Sequence, residues 1–169
     1  MTTTDNLHGW LAGRLPDDWF DAAPSIEIDR DEVLIVGRLP EPERAEDASD
    51  DDYTAAVAGR ARRFRESTRD ARIAIAREIE RSTGRKVGWG VETSTGRELF
   101  TSLAAPVMTR LRQPERIVLD TLVDTGVARS RSEALAWCVR LVAQHSDSWL
   151  AELREAMQQV DEVRRRGPS

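Results

Sequence analysis

The sequence predicts an α+β protein in two parts, and three patterns carry that expectation. Two short stretches with the alternation of β-hairpins lie on either side of a long helical stretch in the first hundred residues. A strand, a helix, a turn and a second helix follow one another between Pro106 and Ala143. A last segment, 147–166, repeats its apolar residues every three and four positions. The expected boundaries are 1–104 for a small hairpin-helix-hairpin domain and 105–169 for the remainder.

Residues 1–6 are polar and expected to be loose. Leu7, Trp10, Leu11 and Leu15 suggest a short amphipathic turn or helix interrupted by Gly9 and Gly13. Pro16-Asp17-Asp18-Trp19-Phe20 has the acids and the leading proline of another short helix. Trp10, Trp19 and Phe20 are assigned to covering the core of the same chain in preference to a partner-binding patch. From Ser25 to Leu39 the pattern is a hairpin: Ile26 and Ile28 alternate with Glu27, Asp29 to Glu32 turn, and Val33-Leu34-Ile35-Val36 is a buried strand run. The stretch 41–52, EPERAEDASDDD, has no apolar anchor and is expected to be an exposed acidic loop. It lacks the mid-loop Gly and closing Glu of a calcium loop, so no metal site is assigned to it.

Tyr53 to Ser82 is expected to be one long helix with a stripe of Val57, Ala61, Phe64, Ala71, Ile75 and Ile79, ended by Thr83-Gly84. It carries eight Arg: Arg60, Arg62, Arg63, Arg65, Arg69, Arg72, Arg77 and Arg81. The favoured expectation is a solvated face whose Arg stems cover apolar surface and pair with Glu66, Asp70 and Glu78; the competing one is a basic face for nucleic-acid phosphates. A second hairpin spans Lys86 to Ser102, with Val87, Trp89 and Val91 alternating and Ser94-Thr95-Gly96 turning. Gly88 and Gly90 beside Trp89 suggest a bulge or close packing.

Val107, Thr109 and Leu111 alternate with Met108, Arg110 and Arg112, as in a strand with two unlike faces. Gln113-Pro114 stops that strand and starts a helix in which Ile117, Leu119, Leu122 and Val123 share a face, closed by Gly126. Ser130 and Glu133 have the spacing of a capping box. They open a helix with Leu135, Cys138, Val139 and Val142 on one stripe, widened by Trp137 and Leu141. In the last helix Trp149, Leu150, Leu153, Met157, Val160 and Val163 form a face that needs a partner. Arg164-Arg165-Arg166 ends it and Gly167-Pro168-Ser169 is a stop.

Composition narrows the function classes. The net charge of −5 has the wrong sign for a general nucleic-acid binder. Residues 106–169 carry ten Arg against nine acids, which leaves −6 on the preceding part, so the second part is the less acidic one. A single cysteine, Cys138, excludes an internal disulfide framework and is expected as a buried thiol. No apolar run suits a membrane span and the N-terminus lacks a signal-peptide pattern, so the cytoplasm is expected. There is no Gly-rich phosphate loop, zinc spacing or Gly-x-Ser-x-Gly; His8 and His145 are isolated. The expectation is therefore a non-enzyme with no cofactor and no metal.

The strand MTRLR, the Pro114 junction, the Gly126 turn and the SRSEAL helix start together resemble the ribbon-helix-helix repressors of the Arc, methionine-repressor and CopG-like superfamily, over residues 106–143 only. The resemblance implies a homodimer in which two copies of 107–112 pair antiparallel, with Thr109 and Leu111 inward. The ribbon would enter the major groove of double-stranded DNA, with Met108, Arg110 and Arg112 facing the bases. The start of the second helix would hold a phosphate through Arg129, Ser130, Arg131 and Ser132. The function implied is that of a DNA-binding transcriptional regulator, such as a repressor; the first part would be a sensing, docking or assembly element for a protein partner or effector. The alternative is a non-enzymatic assembly or RNA-associated adaptor that uses the same motif for dimerisation alone.

Overall fold

A computed structural model describes residues 6–44 and 47–166. The expected loose start and the Gly167-Pro168-Ser169 stop lie outside the described residues, as do positions 45–46 of the acidic stretch. The protein is α+β, with a four-stranded sheet and helices in both parts. It divides into two compact units, 1–106 and 107–169.

In the first unit, α1 (Leu7–Arg14) is continuous through both glycines and buries Leu7 and Leu11. The second short helix expected at 16–20 is absent: these residues turn, with Trp19 N–H donating to the Pro16 carbonyl at 3.2 Å. The turn inserts Trp19 into the core, edge-on to Phe64 and Trp89. Strands β1 (Ser25–Ile28) and β2 (Glu32–Arg38) form the expected hairpin, its turn pinned by the Asp29 carboxylate, which accepts from the Asp31 and Glu32 amides. That pair of backbone donors holds the Asp29 carboxyl below the usual carboxylate range.

The acidic stretch is shorter as a loop than expected. Ser49 caps α2 (Asp50–Ser67), and Asp50, Asp51 and Asp52 occupy its first turn, where the helix dipole favours them. Glu41 is tied down as well: it accepts from Tyr53 Oη at 2.6 Å and from the Ser94 amide at 2.7 Å. The anchor is polar, and an apolar pattern gave no sign of it.

The single long helix expected over 53–82 is two helices, α2 and α3 (Arg69–Thr83), broken at Thr68. No Gly or Pro marks the break. The Thr68 hydroxyl donates back to the Phe64 carbonyl at 2.6 Å, a side-chain bond that competes with the helical ladder. The Arg65 carbonyl is taken by Arg72 Nη2 at 2.7 Å. The break shifts the buried stripe by one position: Ala71 is exposed and Arg72 is buried in its stead, with Ile75 and Ile79 continuing below it.

Strands β3 (Lys86–Thr93) and β4 (Gly96–Leu99) complete the sheet in the order β1-β2-β3-β4. β2 and β3 run parallel, Ile35 opposite Trp89, while the outer pairs are antiparallel. Helix α3 packs on β3. Val33, Ile35, Trp89 and Val91 join Ile75, Ile79, Leu7 and Leu11 in one core, and Trp10 and Phe20 pack against it, so the aromatic residues cover their own chain. The glycines beside Trp89 serve close packing. A Cβ on Gly90 would come within 2.7 Å of Leu99 Cδ2 and 2.9 Å of the Glu98 carbonyl oxygen.

The Arg-rich surface is largely the solvated face expected. Arg62 pairs with Glu66, Arg69 lies 3.7 Å from Asp70, and Glu78 pairs with Arg14 of α1. Among the described residues, no helix is long and apolar enough to cross a membrane.

Candidate nucleic-acid interface

The second unit is built from α4 (Gln113–Asp124), α5 (Arg131–His145) and α6 (Asp147–Arg166). Pro114 lies in the first turn of α4, where its missing N–H costs nothing. The Glu115 carboxylate folds back to accept from the Arg112 amide. Gly126 follows the helix at φ 77, the left-handed geometry that reverses the chain with little strain only at a residue without Cβ. Ser130 then caps α5, its hydroxyl accepting from the Glu133 amide at 3.2 Å. The reciprocal half differs from the expected capping box: the Glu133 carboxylate accepts from the Arg129 amide at 2.8 Å, one residue earlier than Ser130.

This helix pair has a thin core. Leu119, Ala128 and Ala134 are buried, with Leu111, Leu122, Val123, Leu135 and Cys138 packed around them. Cys138 is half-buried at the edge of this small core, against the expectation of a buried thiol. The rest of the apolar surface is uncovered: Ile117, Val118, Val139, Val142, Trp149 and Met157 are all more than half exposed. α6 buries none of its residues.

The segment expected as a strand, 107–112, has no hydrogen-bonded ladder among the described residues, and residues 101–112 form no regular element. A strand exists only through a hydrogen-bonded neighbour. The two-residue alternation is nevertheless reflected at its end: Leu111 packs on the helix pair while Arg110 and Arg112 are exposed. Thr109, expected to face inward beside Leu111, is exposed, and Met108 is 98% exposed.

All seven side chains expected at DNA are on the surface: Met108, Arg110 and Arg112 on the irregular segment, and Arg129, Ser130, Arg131 and Ser132 at the start of α5. Arg131 is committed elsewhere. Its Nε and Nη2 donate to the two oxygens of Asp120 on α4 at 2.6 and 2.7 Å, a fork that ties the two helices together. The same hydrogen bonds hold the Asp120 carboxyl below its usual range and raise the Arg131 guanidinium. Sequence reasoning missed this pair, since it depends on how α4 crosses α5. Arg116 is likewise engaged, donating to the Leu111 carbonyl at 2.8 Å. This bond fixes the end of the 107–112 segment to the first turns of α4.

Comparison with known proteins follows the same division. The Rv1265-like protein N-terminal domain matches residues 5–99, and the Mb1296 C-terminal domain matches residues 112–164. Mb1296 of Mycobacterium bovis and two proteins of Mycobacterium tuberculosis, MT1303 and Rv1265, are each 56% identical over 159 residues. Those alignments cover 94% of this chain and 69% of each relative. No solved structure matches. With more than half of its length under one family description and close relatives aligned over nearly all of it, the chain belongs to the Rv1265-like family.

Proposed function

We propose that this protein is a dimeric DNA-binding regulator of transcription that inserts a two-stranded ribbon, made by 107–112 of two copies, into the major groove. The observation that carries the reading is the condition of the second unit. Its strand-patterned segment has no strand partner among the described residues, and the apolar tops of α4 and α5 are open to solvent. A second copy offers an antiparallel neighbour to the segment and a cover for Ile117, Val118, Val139 and Val142. Arg110 and Arg112 then face outward, where a guanidinium can pair with guanine O6 and N7. The role is binding without catalysis, exercised in the cytoplasm, and the first unit serves as its docking or sensing element.

Arg110→Ala tests this reading. It is expected to weaken binding to a selected site by about 1–3 kcal/mol per lost base contact, while random-sequence binding is retained. Stability should change by no more than about 0.5 kcal/mol, as for a surface substitution. Binding to both DNA classes unchanged, in a protein that still dimerises, would remove Arg110 from the site and favour the assembly reading.

A second reading, dimerisation for assembly without DNA, is favoured by one observation. The start of α5 is already supplied with protein acid: Asp120 holds Arg131, and the Glu133 carboxylate takes the Arg129 amide. Both carboxylates lie where an incoming phosphate would have to bind.

A further inference from the structure

Helix α3 and strand β3 enclose a cleft of about 290 Å³. Arg72, Arg77, Glu80 and Trp89 line it, and Ile73 and Val87 add apolar wall. Two buried donors in this wall lack what they need. Arg72 is only 6% exposed, and it donates to neutral oxygens, Thr68 Oγ1 at 3.0 Å and the Arg65 carbonyl at 2.7 Å. Its guanidinium lies 4.8 Å from the Phe100 ring centre. Arg65 has Glu98 at 4.0 Å and Arg69 has Asp70 at 3.7 Å; Arg72, among the described residues, has no acidic partner. Burial and the neighbouring charges of Arg65 and Arg69 both act against its charged form. The second donor is Trp89 Nε1, buried and without an acceptor.

A buried cation without a counter-charge and a buried N–H without an acceptor are each costly. Trp89 belongs to the core, yet its Nε1 has no acceptor there, while Arg72 rests on the Phe100 ring and two neutral oxygens. An anion in the cleft supplies the missing charge and, once the Trp89 ring turns its Nε1–H toward it, the missing acceptor. Arg77, exposed on the same wall, adds a second cation that a ligand meets on entry. Glu80 is also there, paired to Lys86 at 3.6 Å, and its charge disfavours a doubly charged ligand over a singly charged one. The volume lies at the small end for ligand sites.

We propose that the α3–β3 cleft binds a small monocarboxylic acid, its carboxylate held by Arg72 and Arg77 with Trp89 Nε1–H as a further donor, and its apolar body against Ile73 and Val87. This site lies wholly within the first unit and is independent of the DNA-binding reading.

The test uses the full chain, with benzoate and 3-methylbutanoate as probes and benzamide and inorganic phosphate as controls, at fixed ionic strength. Calorimetric titration is read beside the indole N–H resonances in a nitrogen–proton correlation spectrum. Both carboxylates are expected to bind saturably. Benzamide, an isostere without charge, should bind at least about ten-fold more weakly. One indole N–H signal, the one missing in Trp89→Phe, should move on binding. Arg77→Gln, at an exposed position, should fold normally and lose about ten-fold in affinity; Trp89→Phe should weaken binding while keeping the apolar wall. Three results would each overturn the proposal: no saturable binding of either carboxylate, benzamide binding as well as benzoate, or an affinity indifferent to both substitutions. Phosphate binding in preference to the carboxylates would reject the monoanion class.

Discussion

The two units handle apolar surface in opposite ways. The first closes on itself: α1, the Trp19 turn, α2 and α3 cover the inner face of the sheet, and Leu7, Val33, Ile35, Ile75 and Val91 are at or below 1% exposure. Of the exposed large apolar side chains among the described residues, Leu99 and Leu103 alone lie in this unit; the others run from Val107 to Val163. The second unit has the capped helices and sharp turn of a well-specified fold with only a thin layer of core. Local signals and burial are thus separable. Caps, turns and helical period can be complete in a segment that leaves much of its apolar surface exposed.

The most disruptive way to probe the contrast is a core deletion in the first unit. Ile75→Ala should cost about 2–5 kcal/mol, the range for a fully buried aliphatic, in a transition that does not depend on protein concentration. Circular dichroism melts at two concentrations check this. A cost near zero would mean that this core is less closely packed than its burial implies.

Dilution probes the other unit. If a second copy covers α4 and α5, each tenfold dilution should reduce the apparent stability of the paired second units by about 1.4 kcal/mol per dimer, about half of that per unit. For a unit of this size that is roughly 3–6 °C in its melting temperature, with the first unit's transition unmoved. Scanning calorimetry resolves the two. A second transition fixed across a hundred-fold range of concentration would break the contrast, because the exposed apolar face would then be no interface between copies.

The smallest expected effect lies at Asp120. Its carboxyl is held low in the folded chain by Arg131, so the pair's stabilisation is complete above the unfolded carboxyl value of about 4 and is lost as pH falls through the lower folded value. Asp120→Asn should remove that acid dependence with little change at neutral pH, as befits an exposed pair. It also frees Arg131. Under the DNA-binding reading, the salt dependence of binding then steepens by roughly one counterion per subunit. An unaltered slope places Arg131 away from the phosphates and favours the assembly reading.

Much of this architecture is legible in the residues. Alternation identifies both hairpins, because one face of the sheet is buried and each side chain must choose a side. Ser130 and Gly126 identify the ends of their helices through chemistry that acts within a few residues. What escapes the sequence is set by contacts between distant parts or by polar side chains acting without a pattern. Thr68 breaks a helix with one hydroxyl. Arg72 replaces Ala71 in the core because of that break. Arg131 finds Asp120 only when α4 and α5 have crossed. At the candidate interface, Leu111 alone of 107–112 is partly buried; Met108, Arg110 and Arg112 are exposed, and so are Val107 and Thr109 of the expected inner face, since what an inward-facing residue touches is decided by the neighbour a strand acquires.

The parallel seam between β2 and β3 has a consequence for the order in which the first unit forms. Both outer pairings are hairpins, closed by turns of a few residues, and can assemble on the microsecond scale. The central pairing joins Glu32 to Lys86 across the whole of α2 and α3, so its loop-closure entropy must be met before any contact across it contributes. The seam is therefore expected to close late, after the chain has folded α2 and α3 between its two hairpins. Thr68 separates α2 from α3, and α3 packs on β3, so the polar break in the helix bears on this closure as well as on the finished core.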